Sequence, residues 1–112
     1  MSKRIELFQS GRAKLNLFLA FILLALGSGS SYAADPVKGS RFYATQCASC
    51  HGATGNGVMP GSPSFAKGER MMQPDMQLMT SIKAGKNAMP AYRGILSDTD
   101  ILDVIAYLRT LH

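Results

Sequence analysis

Cys47, Ala48, Ser49, Cys50 and His51 form a CxxCH pentapeptide, and few stretches of five residues leave a chain less choice of chemistry. If both cysteines lie in the last turn of a helix, their side chains sit three apart and project to one side. There the two thiols can reach the two vinyl groups of one haem. His51, next along, can swing its imidazole under the iron. The spacing is thus the signature of c-type haem attachment: two thioether anchors and one axial ligand.

Other uses of a CxxC pair remain open from these residues alone. A thioredoxin-like dithiol needs a βαβ context, and no alternating β-branched run flanks the cysteines. A zinc site wants four ligands, and the only other histidine is His112, at the chain end. A structural disulfide is compatible with an oxidising compartment, although so small a loop adds little constraint.

The chain opens with Lys3, Arg4, Arg12 and Lys14 against Glu6, and then turns apolar for twelve residues, Leu15 to Leu26. A spanning helix needs roughly twenty apolar residues. The pattern reads as a Sec-type signal peptide over 1–33, cleaved after Ala33. Cleavage after Ala34 would put bulky Tyr32 at the third position before the cut. The competing reading is an uncleaved anchor, the only membrane role expected beyond export. No cysteine lies at the cleavage point, which argues against a lipoprotein.

Cleavage changes the charge. It removes four of twelve basic and one of seven acidic residues, leaving eight against six and a net charge of +2. The basic balance of the whole chain therefore belongs to the export signal and gives no support to nucleic-acid binding. The remaining 79 residues, 34–112, form one domain of a size at which a cofactor often completes a marginal core.

Asp35 as cap and Pro36 at the first helical position predict a helix over about 36–50, with Val37, Phe42 or Tyr43, Ala44 and Cys47 as its apolar stripe. Gly39 inside it costs about 1 kcal/mol relative to Ala, which points to close approach by another helix. After His51 the glycines and prolines predict a loop along one haem edge, with a backbone carbonyl near Pro63 orienting the His51 ring.

A short helix is expected from about Pro74, with Leu78 and Ile82 or Met79 inward. Met71, Met72, Met76 and Met79 could form a periplasmic Cu(I) site, but flexible thioethers filling gaps against a flat aromatic group explain them better. Met89 is held in a second loop by the rigid Met89-Pro90 step and suits a sixth iron ligand. Met59-Pro60 repeats the step, yet Met59 lies eight residues after His51 whereas Met89 lies 38 after it, far enough to reach the opposite haem face. Ser97 as N-cap, Asp98 and Asp100 in the first turn, and Ile101, Val104, Ile105, Leu108 and Leu111 predict a last helix to about Thr110.

This order of elements resembles a small class I cytochrome c of the bacterial monohaem kind, over the whole of 34–112. The matching stretches are Gly39, Tyr43 and the CxxCH helix; Gly61-Ser62-Pro63; Ala88-Met89-Pro90-Ala91-Tyr92; and Asp103 to Leu108. The resemblance implies an all-α fold in which N- and C-terminal helices cross and short helices and long loops wrap one covalent haem c. It implies packing of Gly39 and Tyr43 against Val104 and Tyr107, Pro63 as the carbonyl that orients His51, and His51 and Met89 as axial ligands. The chain lacks a tryptophan, which many relatives carry as a haem-propionate partner.

A saturated His/Met iron has no open site for substrate, so the expected function is that of a periplasmic one-electron carrier, not an enzyme. It would be a monomer meeting redox partners transiently at the haem edge, with Lys67, Lys83, Lys86 and Arg93 available for electrostatic steering. The alternative is a haem c subunit or domain of a larger oxidoreductase complex.

Overall fold

The computed structural model describes Gly11, residues 14–19 and residues 31–112. Gly11 and residues 14–19 are helical, in a unit separate from Ala33–His112. Most of the expected export signal, residues 1–33, lies outside the described residues. Among the described residues no helix is long and apolar enough to cross a membrane.

Helix α1 spans Pro36–Gln46. Its start is fixed locally: Asp35 Oδ1 accepts from Val37 N at 2.8 Å and from Lys38 N at 3.2 Å, with Pro36 at the first position. Its end differs from the expected run to about residue 50. Cys47 leaves helical geometry at φ −120°, ψ −35°, and α2, Ala48–His51, begins a new ladder in which Cys50 N and His51 N both donate to Cys47 O. The expected stripe is also corrected. Val37 and Ala44 are exposed, and the inward face is Gly39, Tyr43 and Cys47, each four residues on from the last.

A loop and a 3₁₀ turn, Phe65–Lys67, lead to α3, Asp75–Ala84, which buries Leu78 and Met79. Helix α4, Asp98–Leu108, carries the capping box that Ser97 and Asp100 make together, and buries Ile101, Val104, Ile105 and Leu108. These side chains join Tyr43, Phe65, Met71, Leu78 and Met79 in one core. Met72 and Met76 are exposed, so the four methionines divide between core and surface rather than facing one another as a copper site requires.

The crossing of α1 on α4 organises the domain. A Cβ on Gly39 would lie 1.9 Å from the Asp103 carbonyl oxygen, so only glycine lets the backbones meet. One turn on, the Tyr43 and Tyr107 rings pack at 5.2 Å and 58°. Asp103, on the same contact, is fully buried. It accepts from Asp35 N at 2.8 Å and pairs with Lys38 Nζ at 3.3 Å, while Lys38 also reaches Asp100 at 2.7 Å. The hydrogen bonds to Asp100 and Asp103 hold the Lys38 ammonium up at about 12, and Lys38 in turn brings Asp100 down to about 2.

Arg109, just past α4, donates to the Met71 and Gln73 carbonyls and pairs with Asp75. It thereby closes the turn before α3 against the end of α4.

Candidate functional site

The break at Cys47 gives the CxxCH stretch its own short helix, and the glycine that follows, Gly52 at φ 82°, ends it. The loop then doubles back on this helix. Gly57 N donates to His51 O at 2.8 Å, and Val58 N and Met59 N donate to Cys50 O at 3.1 and 3.0 Å. Cys47, Cys50 and His51 face a cavity of about 310 Å³, at the lower end of the range for small-ligand and cofactor sites.

The expected Pro63 and Met89 line the same cavity. So does Met59, and Leu78, Ile82 and Leu108 supply an apolar wall from α3 and α4. The structure therefore brings together all five residues expected from the sequence.

Both cysteines are free thiols, half-buried. Burial, with the neighbouring Cys50 as a smaller cause, pushes the Cys47 thiol up to about 11. A redox-active CxxC needs the opposite, a thiolate stabilised near neutral pH. Zinc fares no better: among the described residues no three His, Cys, Asp or Glu side chains gather as a metal site.

His51 is buried, with its ring stacked on Phe65 at 4.7 Å and 25°. Burial lowers its pKa, and the Pro63 carbonyl opposes that shift in part. The ring is thus the neutral imidazole that ligates metals. Its Nδ1 is buried with no hydrogen-bond partner of ordinary geometry, so the Pro63 carbonyl acts on the ring without completing a bond to it. A buried neutral imidazole beside two thiols, at a cavity with an apolar wall, fits a haem c held by the pentapeptide.

Met89 is carried by a loop that folds back on the end of α3. Lys86 N donates to Met89 O at 3.1 Å, Met89 N to Lys86 O at 3.0 Å, and Tyr92 N to Ile82 O at 3.1 Å. The fold-back needs Gly85, whose φ is +69° and whose Cβ would lie 2.7 Å from Met89 O. Gly85→Ala is expected to lose about 1–3 kcal/mol through strain and overpacking. Urea unfolding checks this, and an unchanged midpoint would refute it.

Sequence reasoning missed several residues here. Phe65 under His51 and the Tyr92 hydroxyl, which donates to the Gln46 carbonyl at 2.6 Å, have no local signature. Arg70 and Lys86 are the cations that line the cavity. Among the described residues no acidic side chain lines it, and neither cation has an ion pair. Of the cations expected to steer partners, Lys83 is engaged with Asp98 at 2.6 Å, whereas Lys67 and Arg93 are exposed.

The profile of the family described as "Cytochrome C oxidase, cbb3-type, subunit III" matches residues 34–108. Cytochrome c6 of Gracilaria tenuistipitata var. liui is 34% identical over 97 residues, which cover 82% of this chain and 90% of the relative. Cytochrome c6 of Thermosynechococcus vestitus is 36% identical over 94 residues, 80% of this chain and 82% of the relative. The crystal structure of cytochrome c6 from the diatom Phaeodactylum tricornutum superposes with a TM-score of 0.59 at 30% identity, covering 69% of this chain and 93% of that one. With an all-helical fold, a CxxCH helix on a cofactor-sized cavity and these relatives, the chain belongs to the small class I c-type cytochromes, haem c electron carriers rather than enzymes, with Cys47 and Cys50 as its covalent anchors.

Proposed function

We propose that residues 34–112 form a periplasmic one-electron carrier in which His51 and Met89 are the axial ligands, released from a signal peptide, residues 1–33, by cleavage after Ala33. The observation that carries this reading is the convergence of Cys47, Cys50, His51 and Met89 on one cavity. Bound haem c supplies a one-electron iron couple, and a His/Met pair favours its reduced state relative to stronger donors.

The chain's own residues hold and enclose it. Cys47 and Cys50 would anchor one edge, and the Pro63 carbonyl, which already acts on the His51 ring, would take the Nδ1 proton and leave Nε2 for ligation. Met59 hangs from the Cys50 carbonyl, on the strand of loop that covers the CxxCH helix. Met89 hangs instead from the far end of α3, which supports it as the ligand opposite His51. Leu78, Ile82 and Leu108 exclude water from the cavity wall. With haem bound, ligands held in this way would change little between oxidation states, which would keep transfer fast.

Partners would meet the exposed cofactor edge as a monomer does, through small transient contacts, with Lys67, Lys86 and Arg93 free to steer an acidic partner. The description of the matching family favours a second reading, a haem c subunit of a larger oxidoreductase. Co-purification of the native protein with a membrane complex would select it over the free carrier.

Met89→Ala tests the ligand assignment. The variant is expected to keep its covalent haem, lose the weak far-red methionine-to-iron band of the oxidised form, and bind CO when reduced. A band that survives in Met89→Ala would move the assignment to another sulfur, Met59 first.

A further inference from the structure

The pentapeptide is bracketed by two tyrosine hydroxyls. Tyr43 Oη donates to the Gly52 carbonyl at 2.7 Å, one residue past His51, and Tyr92 Oη donates to the Gln46 carbonyl at 2.6 Å, one residue before Cys47. The second bond has a local cause. Because Cys47 leaves helical geometry, Cys50 N, the amide that would continue the ladder to Gln46, donates to Cys47 O at 3.2 Å. Gln46 O is left without a helical donor, and such carbonyls are satisfied from outside the helix.

The donor arrives from 46 residues away. Tyr92 is 6% exposed, lines the cavity and lies three residues after Met89. Its backbone is anchored on both sides: Tyr92 N donates to Ile82 O at 3.1 Å, and Tyr92 O accepts from Leu96 N at 3.1 Å. Between Tyr92 and the Lys86–Met89 backbone pair stand only Pro90 and Ala91, and the proline removes much of their freedom. A shift of the Tyr92 hydroxyl is therefore transmitted to Met89.

We propose that Tyr92 is a positioning residue for the sixth ligand: its hydroxyl ties the Met89 loop to the thioether end of the haem peptide. The proposal rests on the reading of Met89 as axial ligand. Tyr92→Phe keeps the ring and the cavity wall and removes only the tether, leaving the Gln46 carbonyl unpaired. The loop then opens more often, and a competing ligand binds in proportion to the open fraction.

The experiment is imidazole titration of the oxidised holoprotein, comparing wild type, Tyr92→Phe and Lys38→Met. Lys38 does not line the cavity, and its loss breaks the clamp to Asp100 and Asp103, so this variant controls for general destabilisation. Tyr92→Phe is expected to bind imidazole roughly three- to tenfold more tightly, the scale of one hydrogen bond. Lys38→Met is expected to match wild type. Equal affinities in wild type and Tyr92→Phe, or an equal gain in Lys38→Met, would overturn the tether. A wild-type far-red band that vanishes in Met89→Ala, with no effect of Tyr92→Phe, sinks the tether alone. A wild type without that band sinks the ligand reading and the tether together.

Discussion

The double substitution Cys47→Ala, Cys50→Ala is expected to abolish covalent haem: acid-organic extraction should remove all colour from the variant and none from wild type. The two thiols are the only cysteines of the chain, so no other side chain can form a thioether. The effect should reach the fold as well. The cavity of about 310 Å³ lies between the apolar faces of α3 and α4 and the CxxCH helix, and a domain of this size has little core to spare. A ligand that binds only the native state stabilises it in proportion to its occupancy, and a covalent one is always present. Circular dichroism of the double variant should therefore show less helix and a broader thermal transition. Colour that resists extraction from the double variant would be incompatible with the assignment.

The second large effect is expected at Gly39. Alanine is the better helix former by up to about 1 kcal/mol, so on local grounds Gly39→Ala should stabilise α1. Tertiary contact reverses the sign. The new Cβ would stand 1.9 Å from Asp103 O, 2.4 Å from Asp103 C and 2.9 Å from Val104 N, all backbone atoms of α4 that cannot swing aside. Relief requires the helices to part by more than an ångström. That would loosen the Tyr43–Tyr107 packing and the bonds that Asp35 and Lys38 make to Asp103. Overpacking alone costs about 1–3 kcal/mol, and the lost contacts add to it. A net loss of about 2 kcal/mol or more should lower the melting temperature by roughly 10 °C, at about 4–8 °C per kcal/mol in small domains. A Gly39→Ala protein that melts at or above the wild-type temperature would contradict the crossing geometry.

The two substitutions differ in how far the sequence foretells them. CxxCH announces its chemistry in five residues, and Gly39 is conspicuous as a glycine inside a helix that Asp35 and Pro36 begin. What it met was not legible from periodicity. Asp103 is a carboxylate on the apolar face of α4, and in the sequence it looks like a surface charge. It is fully buried because the amide of Asp35 and the ammonium of Lys38 both reach it, and a buried charge persists only when paired in this way. The expected stripe on α1 held at Tyr43 and Cys47 and failed at Val37 and Ala44 for a related reason. Val37 and Ala44 fit a helical period about as well as Tyr43 does, but α4 meets only the side that carries Gly39 and Tyr43.

The amino-acid sequence by itself determined the haem-anchoring chemistry and the start of each main helix. Caps, the Asp35-Pro36 start, the Ser97–Asp100 box and the amphipathic face of α4 depend on groups within about four residues of one another, so no distant partner can alter them. Tertiary structure alone decided the rest. The Arg109 clamp on the turn before α3 and the Tyr92 tether to Gln46 join groups 34 to 46 residues apart. The physical reason is that a hydrogen bond needs its partner within about 3 Å, and only the folded path of the chain sets which distant carbonyl comes that near.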